Sequence, residues 1–261
     1  MTDGMWSKEM IGLPIDASAH GYQIDMLILL VHILMLVLLV GWGIFFTIAL
    51  IRFNKSRNPR ANYHGVHSHF SSVVEVAVAV IEALLLVGFS IPFWAKQVNA
   101  FPERKDVIEV RVVAEQFAWN VHYPGVDGTF GKTNIKWMDK QSNPLGIDRN
   151  DPHAKDDFTT INQLHIPIGQ PILIHLTSKD VIHSFGVPLM RVKQDVIPGM
   201  SIPVWFTPTK TGTFEIVCSQ LCGLGHYRMK GFITVQKPEE YQKWLSEQSS
   251  QNKSTGDDFW N

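Results

Sequence analysis

Two apolar runs near the start of the chain limit what it can fold into. Met26 to Ile51 is almost unbroken, with His32 as its one interruption, and Val73 to Ala95 forms a second run that carries Glu75 and Glu82. Each is longer than the roughly 20 residues a helix needs to cross a hydrocarbon core. The first is too long for a signal-peptide core, and no small-residue cleavage pattern follows it. The pattern predicts a transmembrane helical hairpin over 26-95, with spans at about 26-51 and 73-95. The overall hydrophobic share of 45% hides this, because the apolar excess lies before residue 96 and the remainder has the make-up of a globular domain.

Charge orients the hairpin. Between the spans stand Arg52, Lys55, Arg57 and Arg60 with no acidic residue, whereas Asp3, Glu9, Asp16 and Asp25 precede the first span against Lys8. The positive-inside bias puts the short loop in the cytoplasm. The segment 1-25 and everything after Trp94 are then extracytoplasmic. His64, His67 and His69 in the loop suggest a metal at first sight, but a solvated loop with incidental histidines accounts for them. Glu75 and Glu82 lie seven positions apart, on one face of a helix. Carboxylates at membrane depth face protein or water, so this face implies a partner subunit. A formal net charge of −1 offers nothing to nucleic acid.

From Val107 the pattern changes to period two. Ile108, Val110 and Val112 alternate with Glu109 and Arg111, as in a half-buried strand. Similar readings fit 163-168, 171-176, 202-207, 212-218 and 231-235, and short strands separated by Gly/Pro turns indicate a β-sandwich or barrel over 96-248. Residues 125-157, rich in Gly, Asn, Asp and Lys, read as a surface insertion. Pro238 opens a helix expected to reach Gln248, and 249-261 reads as a polar tail.

The chemistry is concentrated in one loop. Cys218 and Cys222 are the two cysteines of the chain, too few and too close for a disulfide framework, and no Cys-x-x-Cys-His is present for covalent haem. Cys222, His226 and Met229 match three of the four ligands of a blue-copper site, and His183 in Asp-Val-Ile-His-Ser-Phe is placed to supply the fourth. Cys218 adds a thiolate that one trigonal copper cannot use, whereas two sulfurs can bridge two metals. One histidine for each copper, Met229 and a backbone carbonyl then complete a dinuclear set. A Cys₂His₂ zinc site is an alternative that leaves Met229 without a role. A Cys218–Cys222 disulfide is another, and it leaves both histidines unexplained.

On these residues the chain resembles subunit II of cytochrome c oxidase, the haem–copper oxygen reductase. The likeness covers the two spans, Glu-Gln-Phe-Ala-Trp at 115–119, Lys-Gln-Asp-Val-Ile-Pro-Gly at 193–199 and the loop Cys-Ser-Gln-Leu-Cys-Gly-Leu-Gly-His-Tyr-Arg-Met. The resemblance implies a two-helix hairpin followed by an all-β cupredoxin (Greek-key β-barrel) domain. It implies a dinuclear CuA-type centre of two copper ions on His183, Cys218, the backbone carbonyl of Gln220, Cys222, His226 and Met229. It further implies electron transfer from cytochrome c, or a cytochrome c domain, to haem in subunit I. Oxygen would be reduced there with proton translocation, in a bacterial inner membrane rather than a mitochondrial one. Glu75 corresponds to a proton-uptake residue, and Phe117 and Trp119 to the region where electrons enter. Two positions depart from the family. Gln220 replaces a glutamate that helps to bind magnesium at the subunit boundary, which puts that ion in doubt, and Phe117 replaces the first tryptophan of Gln-Trp-x-Trp. A copper subunit of a nitric oxide reductase and a stand-alone membrane-tethered copper carrier remain as alternatives. A quinol oxidase subunit would lack the copper ligands.

Overall fold

The computed structural model of the chain describes residues 12–60, 63–64, 68–139 and 142–257. Asp3, Lys8, Glu9 and His67 lie outside the described residues. The chain divides into two compact units, one of residues 23–100 and one that joins the segment up to Tyr22 to everything from Phe101 onward.

The first unit is helical. Helix α1 runs Gly21–Arg52, and a second long helix covers Phe70–Asn99 as α2 (Phe70–Leu85), a π-helical turn (Leu86–Ser90) and α3 (Ile91–Asn99). Both overrun the expected spans, because backbone hydrogen bonding continues past the end of the apolar side chains. The π turn ends two residues before Pro92, which has no N–H to donate and whose ring crowds the carbonyl four residues back, that of Gly88 inside the turn. Widening the helix there is a local answer to both defects. Along both helices the most apolar window is 0% buried, so the hydrophobic surface points outward all round. A helix of that kind is stable in lipid, not in water. The chain is a membrane protein. Glu75 and Glu82 are both exposed on α2, two turns apart on one face.

Among the described residues the second unit has ten strands: β1 Ile108–Glu115, β2 Ala118–Tyr123, β3 Phe158–Ile161, β4 Gln163–Pro167, β5 Ile172–Ser178, β6 His183–Val187, β7 Val192–Val196, β8 Ile202–Phe206, β9 Gly212–Cys218 and β10 Lys230–Gln236. They form two five-stranded sheets, ordered β3-β2-β1-β5-β8 and β4-β10-β9-β6-β7. Two pairs are parallel, β1 with β5 and β4 with β10, and the rest are antiparallel. Val110, Val112 and Ala114 of β1 turn inward to one core with Trp119, Phe185, Phe206 and Ile216, as the alternation in the sequence predicts. This is the cupredoxin-like all-β domain that was expected.

The structure adds detail in three segments. Residues 14–19, within the N-terminal segment, belong to the β unit. Ala17 is fully buried, its N–H donates to the Leu189 carbonyl at 2.7 Å and its carbonyl accepts from the Thr209 N–H at 2.8 Å. The insertion at 125-157 packs on the outer face of the first sheet. Leu145, Ile147 and Ala154 close over Val113 in a small second core, and a buried His122 Nε2–Asp157 contact of 2.7 Å pins the insertion to β2. Helix α4 runs Pro238–Asp257 instead of stopping at Gln248, since no proline follows and the first glycine is Gly256. Its Trp244 stacks on His165 at 4.2 Å and docks the helix on the barrel.

Candidate metal centre

The strand register brings the sequence candidates together. His183 opens β6, and β6 pairs with β9 so that Phe185 lies opposite Cys218, the last residue of β9. The ligand loop then spans 219–229 and returns into β10. Its neck is closed by the Cys218 N–H to Met229 carbonyl bond of 3.3 Å and the Ser219 N–H to Ser184 carbonyl bond of 2.9 Å. Inside the loop, a 3₁₀ turn over His226–Arg228 turns His226 and Met229 toward the cysteines.

All six expected donors meet. Cys218 Sγ and Cys222 Sγ are 3.8 Å apart. Cys218 Sγ has the Gln220 carbonyl at 3.1 Å and His183 Nδ1 at 4.0 Å. Cys222 Sγ has His226 Nδ1 at 3.6 Å and Met229 Sδ at 3.7 Å. Among the described residues, the side chains of His183, Cys218 and Cys222 form a cluster close enough to hold a metal ion. The sulfur separation is far beyond the roughly 2.05 Å of a disulfide, and both thiols are free. It is the span of two metal–sulfur bonds of about 2.3 Å meeting near the tetrahedral angle. Three sulfurs and two imidazoles are a soft donor set that suits copper. Burial, and then the neighbouring Cys218, push the Cys222 thiol up to about 11, so this pocket favours the protonated thiol until a cation takes its place.

A second layer holds these donors. Asp180 Oδ1 lies 2.9 Å from His183 Nε2, which leaves Nδ1 facing Cys218. Burial raises the Asp180 carboxyl, but hydrogen bonds from His183 and from the Gln116 and Val181 N–H groups outweigh it and hold Asp180 below the usual carboxylate range. Gln116 also donates its side-chain N–H to the Cys222 carbonyl at 2.6 Å. A Cβ on Gly225 would stand 2.5 Å from the Phe117 ring, so that ring lies flush against the ligand loop. Trp119 is fully buried on the inner side, edge-on to His183 at 6.2 Å and to Phe185 at 5.5 Å. Asp180 and Gln116 received no role from the sequence, although Asp180 opens the Asp-Val-Ile-His-Ser-Phe stretch that supplies His183 and Gln116 lies beside Phe117. Glu75 belongs to the other unit and is not part of this cluster.

A sequence model described as the cytochrome c oxidase subunit II periplasmic domain matches residues 108–236. The alternative cytochrome c oxidase subunit 2 of Bradyrhizobium diazoefficiens is 34% identical over 209 residues, which cover 79% of this chain and 73% of the relative. The chain belongs to the cytochrome c oxidase subunit II family. The subunit 2 of Cereibacter sphaeroides is 29% identical over 81% of this chain and 73% of its own length. A solved periplasmic domain of subunit II of cytochrome oxidase (CoxB) from Bradyrhizobium japonicum is 29% identical, covering 55% of this chain and 94% of that one, with a TM-score of 0.41. Family membership brings copper to the donor set already described. Both named relatives are subunits of a cytochrome c oxidase.

Proposed function

We propose that the chain is the electron-input subunit of a terminal oxidase, accepting electrons from cytochrome c and passing them to haem in subunit I. There oxygen would be reduced to water with proton translocation. The observation that carries a two-copper centre is the pairing of donors around the sulfurs. Cys218 stands with His183 and the Gln220 carbonyl, and Cys222 with His226 and Met229. A single copper of the trigonal kind that soft donors favour would use four of the six, whereas a pair of coppers held by these residues would engage all of them. Bound there, copper supplies a one-electron store that alternates between oxidation states. The chain's own residues do the rest. Asp180 sets the His183 tautomer and ring angle, Gln116 fixes the loop at Cys222, and Trp119 and Phe185 keep water from the inner side.

Exposed Leu221, Leu224 and Tyr227 on the ligand loop give a donor an apolar surface next to the ligands. In this reading Phe117 supports that surface from below, at the electron-input side, and Trp119 backs His183 on the far side. Glu75 takes protons from the cytoplasmic face of a bacterial inner membrane, with the β domain on the periplasmic side. A nitric oxide reductase could use the same copper subunit, but the relatives found are oxidase subunits, which favours oxygen. A magnesium ion does not fit at 220, where the exposed side chain is a neutral amide and a hard cation prefers charged oxygen. No step runs through it. The test is metal analysis with electron spin resonance on the purified protein. Two coppers sharing one unpaired electron support the reading, and one zinc or a spin confined to one copper rejects it.

A further inference from the structure

A charged cavity on the outer face of the first sheet has no part in the copper chemistry. It measures about 470 Å³ and is lined by Arg104, Lys105, Glu109 and Arg111 on one side and by residues 128–130 of the insertion on the other. Three cations thus face one carboxylate, and that carboxylate is already engaged. Glu109 takes Arg104 Nε at 2.5 Å and Nη2 at 3.3 Å, and His175 Nε2 at 3.2 Å. Lys105 reaches Glu103 at 2.7 Å, but both side chains are exposed and such a pair contributes little.

Arg111 is the unusual member. It points to the outer face of β1, half-buried by the insertion, with its guanidinium over the Phe130 ring at 4.0 Å. Among the described residues it forms no ion pair. Asp157, whose charge also acts on it, is engaged by His122 Nε2 at 2.7 Å and by the Gly131 N–H at 2.8 Å. The two carboxylates whose charge reaches it, Asp157 and Glu109, are both shared with other partners, and a cation partly withdrawn from water on shared counter-charge is costly. An aromatic ring below the guanidinium steadies its plane and leaves the N–H fork at its edge open. Thr129 lines the same cavity.

We propose that this cavity binds a phosphate-class oxyanion, held bidentately by Arg111 with Arg104 and Lys105 supplying charge. Guanidinium matches phosphate in both geometry and charge. The volume falls in the range of small-molecule sites, roughly 300–1,000 Å³, leaving room for a substituent on the phosphate. A membrane-anchored chain meets two sources of this group, an anionic phospholipid headgroup and a soluble phosphate or phosphate ester.

The experiment uses the full-length protein in neutral detergent, titrated with inorganic phosphate, and in nanodiscs of zwitterionic lipid with or without phosphatidylglycerol. The wild-type protein binds saturably, and more weakly as salt rises. Arg111→Gln lowers the affinity at least tenfold, Arg111→Lys falls between because it keeps the charge and loses the fork, and the copper absorption is unchanged in both. Phosphatidylglycerol that blocks the phosphate titration assigns the site to a headgroup, and titration indifferent to that lipid assigns it to a soluble ester. If Arg111→Gln loses its copper band, Arg111→Lys and Thr129→Val decide in its place. The proposal is overturned if the wild-type protein binds neither probe, or if these variants bind as tightly as the wild type.

Discussion

Substituting Gly225 by alanine isolates the contact between the ligand loop and the turn before β2. The added methyl would stand 2.5, 2.7 and 2.7 Å from Cδ2, Cε2 and Cγ of Phe117. Ordinary contact begins at 3.4 Å, so ring and loop must separate by about 0.9 Å. Backbone strain plays no part, since Gly225 has φ −93° and ψ 8°, open to any L-residue. Overpacking of this size costs about 1–3 kcal/mol. Metal–ligand distances tolerate only about 0.2 Å, so the centre fails before the barrel does. Cys222 and His226 flank the displaced residue, and copper content and visible absorption should fall while the β-sheet signal persists. Removing the ring in the double variant Phe117→Ala/Gly225→Ala should restore copper binding, with a coupling of about 0.5–3 kcal/mol in the unfolding cycle. An unaltered copper spectrum in Gly225→Ala, or no recovery in the double variant, would refute the packing argument.

Asp180→Asn leaves the shape of the His183 contact and removes its charge, so copper affinity should drop by about 10–100-fold, measured by competition with a chelator. Met229→Leu should shift the midpoint potential in redox titration while metal analysis still finds copper bound, because a thioether is a weak ligand. Burial lowers the pKa of His20, His122 and His165 from 6.5, outweighing bonds such as that from His122 to Asp157. The unfolded chain therefore takes up protons first. Stability should be full above about pH 6.5 and decline as pH falls below it, as read from denaturant midpoints in detergent. Glu75→Gln should slow turnover of the assembled oxidase without changing copper reduction by the donor, and Glu82→Gln should leave both unchanged.

Much of this molecule is written in local pattern. The two spans follow from apolar length, and β1, β5, β9 and β10 follow from alternation with turn residues at their ends. The six candidate donors could be picked out because most of them crowd into one short loop, and two thiols, an imidazole and a thioether at that spacing make a set that suits copper. What escaped detection depends on long-range pairing. Strand β6, His183–Val187, is buried at every position and shows no alternation, and the short β3, Phe158–Ile161, exists only because β2 pairs with it. Ala17 looks like any linker residue until the 189 and 207–209 carbonyl and amide groups are seen to engage that segment. Asp180 and Gln116 are common residue types whose roles come from where β6 and the β1–β2 turn lie beside the ligand loop.

Electron input through the copper loop is the central claim, and rapid mixing of the assembled oxidase with reduced cytochrome c tests it most directly. The copper absorption should bleach first and haem reduction should follow, and in Cys218→Ser both should fail while the haem still reduces with a small chemical donor. Haem reduction by cytochrome c at the wild-type rate in Cys218→Ser would contradict the account.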